Sequence, residues 1–259
     1  MVMSVFILKL IAMCSMLIDH IAFSLVNNNL AMRNIGRFAF FIYALLIAES
    51  YFHLREKPEK LKSHLIKLLV LCVVSEPLFD RFDHYKWIDP SSQSVMPTLM
   101  LGFVALICVG WWRGKHQNKK AISGIGATGI YFASALFSYF LNSDYAFGGV
   151  VLVVLFYLYL TQVEHLKFPQ RLVFLLVIEA VFMILDIWRR VGFGNWQEFK
   201  EMANVLSVWK FGLAVSMLPL VFYNRKLGYH SRWFGWLYSI FYPLQFVVLL
   251  IARYFIRGF

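Results

Sequence analysis

Asp19 and His20 stand side by side in Met16-Leu17-Ile18-Asp19-His20, near the end of a long apolar run. Ionisable groups inside such a run are costly, and they face a protein interior or a wet cavity rather than lipid. A histidine titrates close to neutrality, which suits it to take and return a proton as a general base. Consecutive residues point about 100° apart on a helix, so Asp19 cannot orient His20 in the manner of a hydrolase triad. Each needs a partner from another helix. Asp19 shares a stripe of small residues with Ala12, Ser15 and Ala22; His20 shares its face with Met13, Met16 and Lys9. The bland alternatives are a histidine hydrogen-bonded between helices and an interhelical salt bridge at Asp19.

Further polar groups lie at similar depth. Arg37 is the natural partner for Asp19, since pairing lowers the cost of burying either charge, and it is also a fork for carboxylate or phosphate. A snorkelling arginine is its structural alternative. Ser75-Glu76-Pro77 places an acid beside a helix breaker. Glu76 is read as a general base, an amine-binding carboxylate or an interfacial charge. Tyr242 and Gln245 lie in the last apolar run; a buried amide wants several hydrogen-bond partners, so Gln245 either binds substrate or joins helices. Glu179 and Lys210 are expected to form a structural ion pair, with a proton relay as the sharper alternative.

The elements that must position these groups are transmembrane helices. Of 259 residues, 60% are hydrophobic and 18% aromatic, with a mean hydropathy of +0.65. That leaves too little polar surface for a water-soluble domain, which is typically about 45–50% apolar. A spanning helix needs about 20 mostly apolar residues. About nine spans are expected, at 3–26, 35–53, 63–80, 96–112, 121–141, 146–162, 170–187, 203–222 and 232–256. Together they make an all-α polytopic bundle, with residues 1–259 as a single unit. Gly124, Gly126 and Gly129 at the start of the fifth span suggest close helix packing.

Lysine and arginine are biased toward alternate loops. Thirteen fall around 55–62, 113–120, 167–171 and 225–232, against nine on the opposite side. By the positive-inside rule the N-terminus is cytoplasmic and the polar groups gather toward the outer half. The formal charge of +11 therefore reads as topology rather than nucleic-acid binding. Cys14, Cys72 and Cys108 form no CxxC pair, so neither a zinc site nor a disulfide framework is expected, and no metal. The first run carries Lys9, Asp19 and His20 with no small-residue cleavage pattern, and is read as a retained span rather than a signal peptide.

In order and spacing, several segments resemble the TraX family of bacterial integral membrane proteins, whose founding member acetylates the N-terminus of conjugative pilin. They are Leu8-Lys9-Leu10-Ile11-Ala12-Met13, Met16-Leu17-Ile18-Asp19-His20, Gly36-Arg37-Phe38-Ala39-Phe40 and Ala48-Glu49-Ser50-Tyr51-Phe52-His53. Ser75-Glu76-Pro77-Leu78-Phe79, Thr98-Leu99-Met100-Leu101-Gly102, Asp144-Tyr145, Tyr223-Asn224 and Tyr242-Pro243 also fit. Two positions depart: Gln245 stands where the family often has histidine, and Arg225 where it often has glycine.

The resemblance implies a bacterial inner-membrane acyltransferase moving acetyl from acetyl-CoA to an amine or hydroxyl of an extracytoplasmic acceptor. That acceptor would be a protein such as a pilin N-terminus, a sugar or a lipid. His20 would be the base, with Asp19 beside it. Arg37, Glu76, Tyr242 and Gln245 would line the substrate pocket. Asn224, Arg225 and Lys226, with the basic turns around Lys62 and 113–120, would hold the donor's phosphates or act only as topology signals. A proton-coupled transporter or channel could use the same buried groups, although no inverted repeat is visible. A non-catalytic scaffold is the third class.

Overall fold

The computed structural model describes residues 3–191, 197–198, 200 and 217–257. Among them the chain is all helical, without strands. Seven long helices come first: α1 (Val5–Ser24), α2 (Leu30–Leu54), α3 (Pro58–Asp83), α4 (Val95–Lys115), α5 (Lys120–Phe140), α6 (Ala146–Gln162) and α7 (Phe168–Val191). A one-turn helix α8 (Leu218–Val221) and a long α9 (Arg232–Arg257) follow. The expected eighth span, 203–222, falls largely outside the described residues; α8 is its described end. Lys210 also lies outside them, so its pairing with Glu179 does too. Among the described residues, five helices are long and apolar enough to cross a membrane: α1, α2, α4, α5 and α9. α6 is apolar but has only 17 residues.

Local chemistry sets the helix ends. Ser4, Asn29 and Ser94 are N-caps whose side-chain oxygens accept backbone N–H groups of Ile7, Met32 and Met96, satisfying donors that a helix start leaves open. The charged run after Leu54 is not all loop, as the hydropathy suggested. Pro58 opens α3 at its first turn, where its missing N–H costs nothing, with Glu59 beside it.

α2 is the central helix. Of its apolar window 67% is buried, against 17% for α5 at the periphery. It packs on α1, α4 and α6, while α9 closes against α1 and α3. The core runs through Phe41, Ile42, Leu45, Phe103, Phe156 and Phe246, all essentially buried. The outward faces carry exposed Val73, Ile125, Phe132, Phe140, Val248 and Phe255, apolar surface suited to lipid. Gly126 accommodates the Trp112 ring, whereas Gly124 and Gly129 face open space, so only one of the three glycines serves packing. Arg253, inside the expected ninth span, is buried and donates to the Phe82 carbonyl at 2.9 Å. The three cysteines are free, and only Cys72 is buried.

Two ends of the bundle can be told apart by their turns. One gathers the turns after α1, α3 and α5 and is called here the Asn27 end. The other gathers the turns after α2, α4 and α6 and is called the Lys57 end.

Candidate functional site: two cavities meeting at His20

Asp19 and His20 diverge, as helix geometry requires. Asp19 turns toward α2, where its Oδ2 accepts from Arg33 Nη1 at 3.3 Å. The expected partner, Arg37, is not the ion-pair partner; it lies one turn further along α2 and lines the same cavity. Arg33 wins because it reaches across from the first turn of α2, opposite the last turns of α1. The crossing is tight at Gly36, where any Cβ would overlap the Asp19 side chain. Only glycine permits this approach. The stripe of Ala12, Ser15 and Ala22 is buried along the same seam.

His20 turns the other way, toward α3 and α9. Its ring lies 5.0 Å from Phe246 and 5.5 Å from Phe82, centroid to centroid. Gln245 is within interaction reach of the ring. No bond of good geometry joins them: His20 Nδ1 and both polar atoms of Gln245 are buried without partners. Gln245 is 2% exposed and lines neither of the two large cavities. It therefore backs His20 rather than facing a cavity.

Glu76 also has a different position from the one expected. Its carboxylate accepts the Ser94 hydroxyl at 2.6 Å and the Ser94 N–H at 3.1 Å. It lines neither cavity. Ser94 caps α4, so Glu76 ties α3 to the start of α4. The role supported by these contacts is positional.

The cavity at the Asn27 end has a volume of about 440 Å³. His20, Asp19, Arg33 and Arg37 line one side; Asp144, Asp186, Arg189 and Arg190 line the other. Asp186 holds Arg189 at 3.2 Å and Arg190 at 2.8 Å. Asp144 sits in the turn between α5 and α6. Burial raises its carboxyl above the ordinary range, with Arg189 opposing.

The cavity at the Lys57 end is larger, about 770 Å³. Tyr43, Leu46, Leu68, Met96, Leu99 and Tyr242 form its apolar walls. Basic groups surround it: Lys9, Lys57, Lys67, Arg225, and the histidines His53, His64 and His230. One carboxylate enters it, Glu49, which is 4% exposed. Glu49 Oε1 meets His53 Nε2 at 2.8 Å and Arg225 Nε at 3.5 Å.

Of the three residues expected to hold donor phosphates, only Arg225 lines this cavity. It adopts a left-handed φ of 58° and reaches Glu164 at 2.9 Å. Asn224 is spent on the turn, accepting from the Lys226 N–H at 2.9 Å. Lys226 lies outside the cavity lining, as do Lys62 and the basic turn at 113–120. Sequence reasoning assigned no role to Arg33, Asp144, Glu49 or His53. The signals were present: Arg33 is four residues before Arg37, and Glu49 and His53 are spaced i, i+4 on one helix face.

The two cavities nearly touch. On α1, Met16 lines one and His20 the other, about 6 Å apart along the axis. On α2 the change comes between Phe41 and Tyr43. Phe246 bridges the gap, 5.0 Å from His20 and 5.1 Å from Tyr242. A thin aromatic partition thus separates an apolar, basic-rimmed chamber from a small, charge-lined one.

A family model described as TraX protein matches residues 4–253. The chain belongs to the TraX family. No curated protein and no solved structure matches it. The TraX match spans both cavities and the partition between them, so the site is built from residues within the family's shared region.

Proposed function

We propose that this TraX-family protein is a membrane-embedded acyltransferase that moves acetyl from acetyl-CoA to an amine or hydroxyl acceptor across the partition at His20. One observation carries this reading. Two cavities of opposite character enter the bundle from opposite ends and stop one helical turn apart, with a histidine at the boundary. The Lys57-end chamber suits the donor: apolar walls for the pantetheine arm, basic groups for the phosphates. Its end of the bundle carries the excess of lysine and arginine and is the cytoplasmic one, in a bacterial inner membrane. The Asn27-end cavity receives the extracytoplasmic acceptor, such as a protein N-terminus.

His20 takes the proton from the acceptor N–H or O–H as the heteroatom bonds the acetyl carbon. The carbon–sulfur bond breaks, and the CoA thiolate takes the proton back from His20. Phe246 and Phe82 keep bulk water from the thioester, which limits hydrolysis. Asp19 and Arg33 hold α1 against α2 and so fix the height of His20.

The test uses purified protein in lipid nanodiscs with labelled acetyl-CoA and amine or hydroxyl acceptors. Acceptor labelling that a folded His20→Ala variant loses supports the reading. Full activity in that variant removes His20 from the chemistry. Two opposed cavities also suit a proton-coupled transporter; solute uptake into proteoliposomes without acyl transfer would establish that reading instead.

A further inference from the structure

The charges of the Asn27-end cavity do not all pair among themselves. Arg33 is taken by Asp19. Arg189 and Arg190 are taken by Asp186, and Asp83 is 3.2 Å from His84. Two groups of opposite sign are left. Arg37 has no hydrogen bond or ion pair among the described residues. The Asp144 carboxylate accepts only the N–H of the next residue, Tyr145, at 3.0 Å.

The elements that carry these two charges meet at a ring stack. Arg37 and Phe40 are one turn apart on α2, and Tyr145 follows Asp144. Phe40 and Tyr145 stack with centroids 3.7 Å apart and planes within 8°. The turn is fixed from behind: Thr98 donates to the Asp144 carbonyl, and its hydroxyl oxygen lies 2.9 Å from Ser143 Oγ. Tyr145 and Ala146 are forced to φ of 60° and 38°, a conformation that persists for non-glycine residues only where the surroundings over-determine it, commonly at functional sites. Gly149 lets this turn close, since a Cβ there would overlap Thr98. A guanidinium and a carboxylate thus line one cavity with no ion pair between them.

We propose that the Asn27-end cavity selects a zwitterionic acceptor, with Asp144 receiving its cationic amine and Arg37 its anionic group. A planar guanidinium is the fork for a carboxylate or phosphate, and a carboxylate with a free oxygen receives an ammonium. Arg189 and Arg190 act on Asp144 only through space, so a ligand that brings both signs gives Asp144 and Arg37 the direct partners they lack, and a neutral or singly charged ligand does not. The inference deepens the acyltransferase reading by naming the acceptor class: the bound ammonium passes one proton through the Asp144 carboxylate to solvent before the neutral amine attacks and His20 takes the second. Its test needs no catalysis.

The full chain in nanodiscs is titrated, without donor, with three probes. Alanyl-glutamyl amide carries both charges, alanyl-glutaminyl amide only the amine, and N-acetyl-alanyl-glutamyl amide only the anion. The doubly charged probe is expected to bind about tenfold tighter than either of the others, the scale of one charge-assisted hydrogen bond. Arg37→Gln removes the preference for glutamyl over glutaminyl, and Asp144→Asn removes the preference for the free amine over the acetylated one. Arg37→Lys, which keeps the charge, retains part of the anion preference. Equal binding of all three probes overturns the proposal, as does an Arg37→Gln variant that weakens all three alike. If the preferences appear but no acyl transfer occurs, the selectivity stands and the acyltransferase reading falls. If His20-dependent transfer proceeds equally to neutral acceptors, the selectivity falls alone.

Discussion

The two cavities of this bundle differ in how their charges are held. At the Asn27 end, acids and arginines lie on facing helix ends, and most are locked in pairs, Asp19 with Arg33 and Asp186 with Arg189 and Arg190. At the Lys57 end the walls are apolar and the cations are in excess, with Glu49 the one carboxylate in the lining. A balanced, nearly self-satisfied site recognises geometry; a cavity with surplus positive charge gathers anions from a distance. The lesson is that polar groups at membrane depth here are divided by character before they are divided by residue, and the division falls at His20.

The largest test of that division is at the chemistry itself. His20→Ala is expected to lower turnover by about 10²–10⁴-fold, the usual worth of a general base, while leaving donor affinity near that of the wild type. His53→Ala should change turnover by less than about tenfold, because its partner Glu49 faces the Lys57-end cavity rather than the boundary. Single-turnover kinetics with labelled acetyl-CoA, beside equilibrium donor binding, separate the two. If the ranking reverses, the reacting centre is at the Lys57 end.

Gly36→Val breaks the Asn27 end alone. The side chain must overlap Asp19, and overpacking of this kind costs about 1–3 kcal/mol or more. Loss of monodisperse protein on extraction, or a much lower Tm, is the expected result. An unchanged Tm would mean that α1 and α2 do not cross at that point.

The donor side is sharpened by Arg225→Gln, expected to raise the KM for acetyl-CoA by about tenfold. The control is acetyl-pantetheine, which lacks the nucleotide phosphates and should show no such rise. Equal losses on both donors would leave Arg225 a structural clamp between Glu49 and Glu164.

The smallest effect is expected at Glu76→Gln. Glu76 holds the start of α4 through Ser94, so the change lowers stability by about 1–3 kcal/mol and shifts Tm. Per folded molecule, turnover and both affinities should stay close to wild type. A collapse of turnover with Tm unchanged would return Glu76 to the chemistry.

Much of this was legible in the sequence. Apolar runs of spanning length announced a helical membrane bundle because lipid offers the backbone no hydrogen-bond partners. The separation of Asp19 from His20 followed from helix geometry, and α1 bears it out with Asp19 on α2 and His20 on Phe82 and Phe246. Residue type alone also flagged Arg37, Tyr242 and Arg225, which line the cavities. Glu76 and Gln245 were flagged by the same rule but lie behind the walls.

Which charge meets which was decided only by tertiary structure. One helical turn separates Arg33 from Arg37, and the crossing at Gly36 sets which of them reaches Asp19. Glu76 turns to Ser94 rather than to a cavity because α3 ends against the start of α4. Asp144 enters the site through a turn held by Thr98 and the Phe40–Tyr145 stack. Sequence determines that a polar group must find a partner inside the membrane; the angle and height at which helices cross determine the partner, and those depend on contacts far apart in the chain.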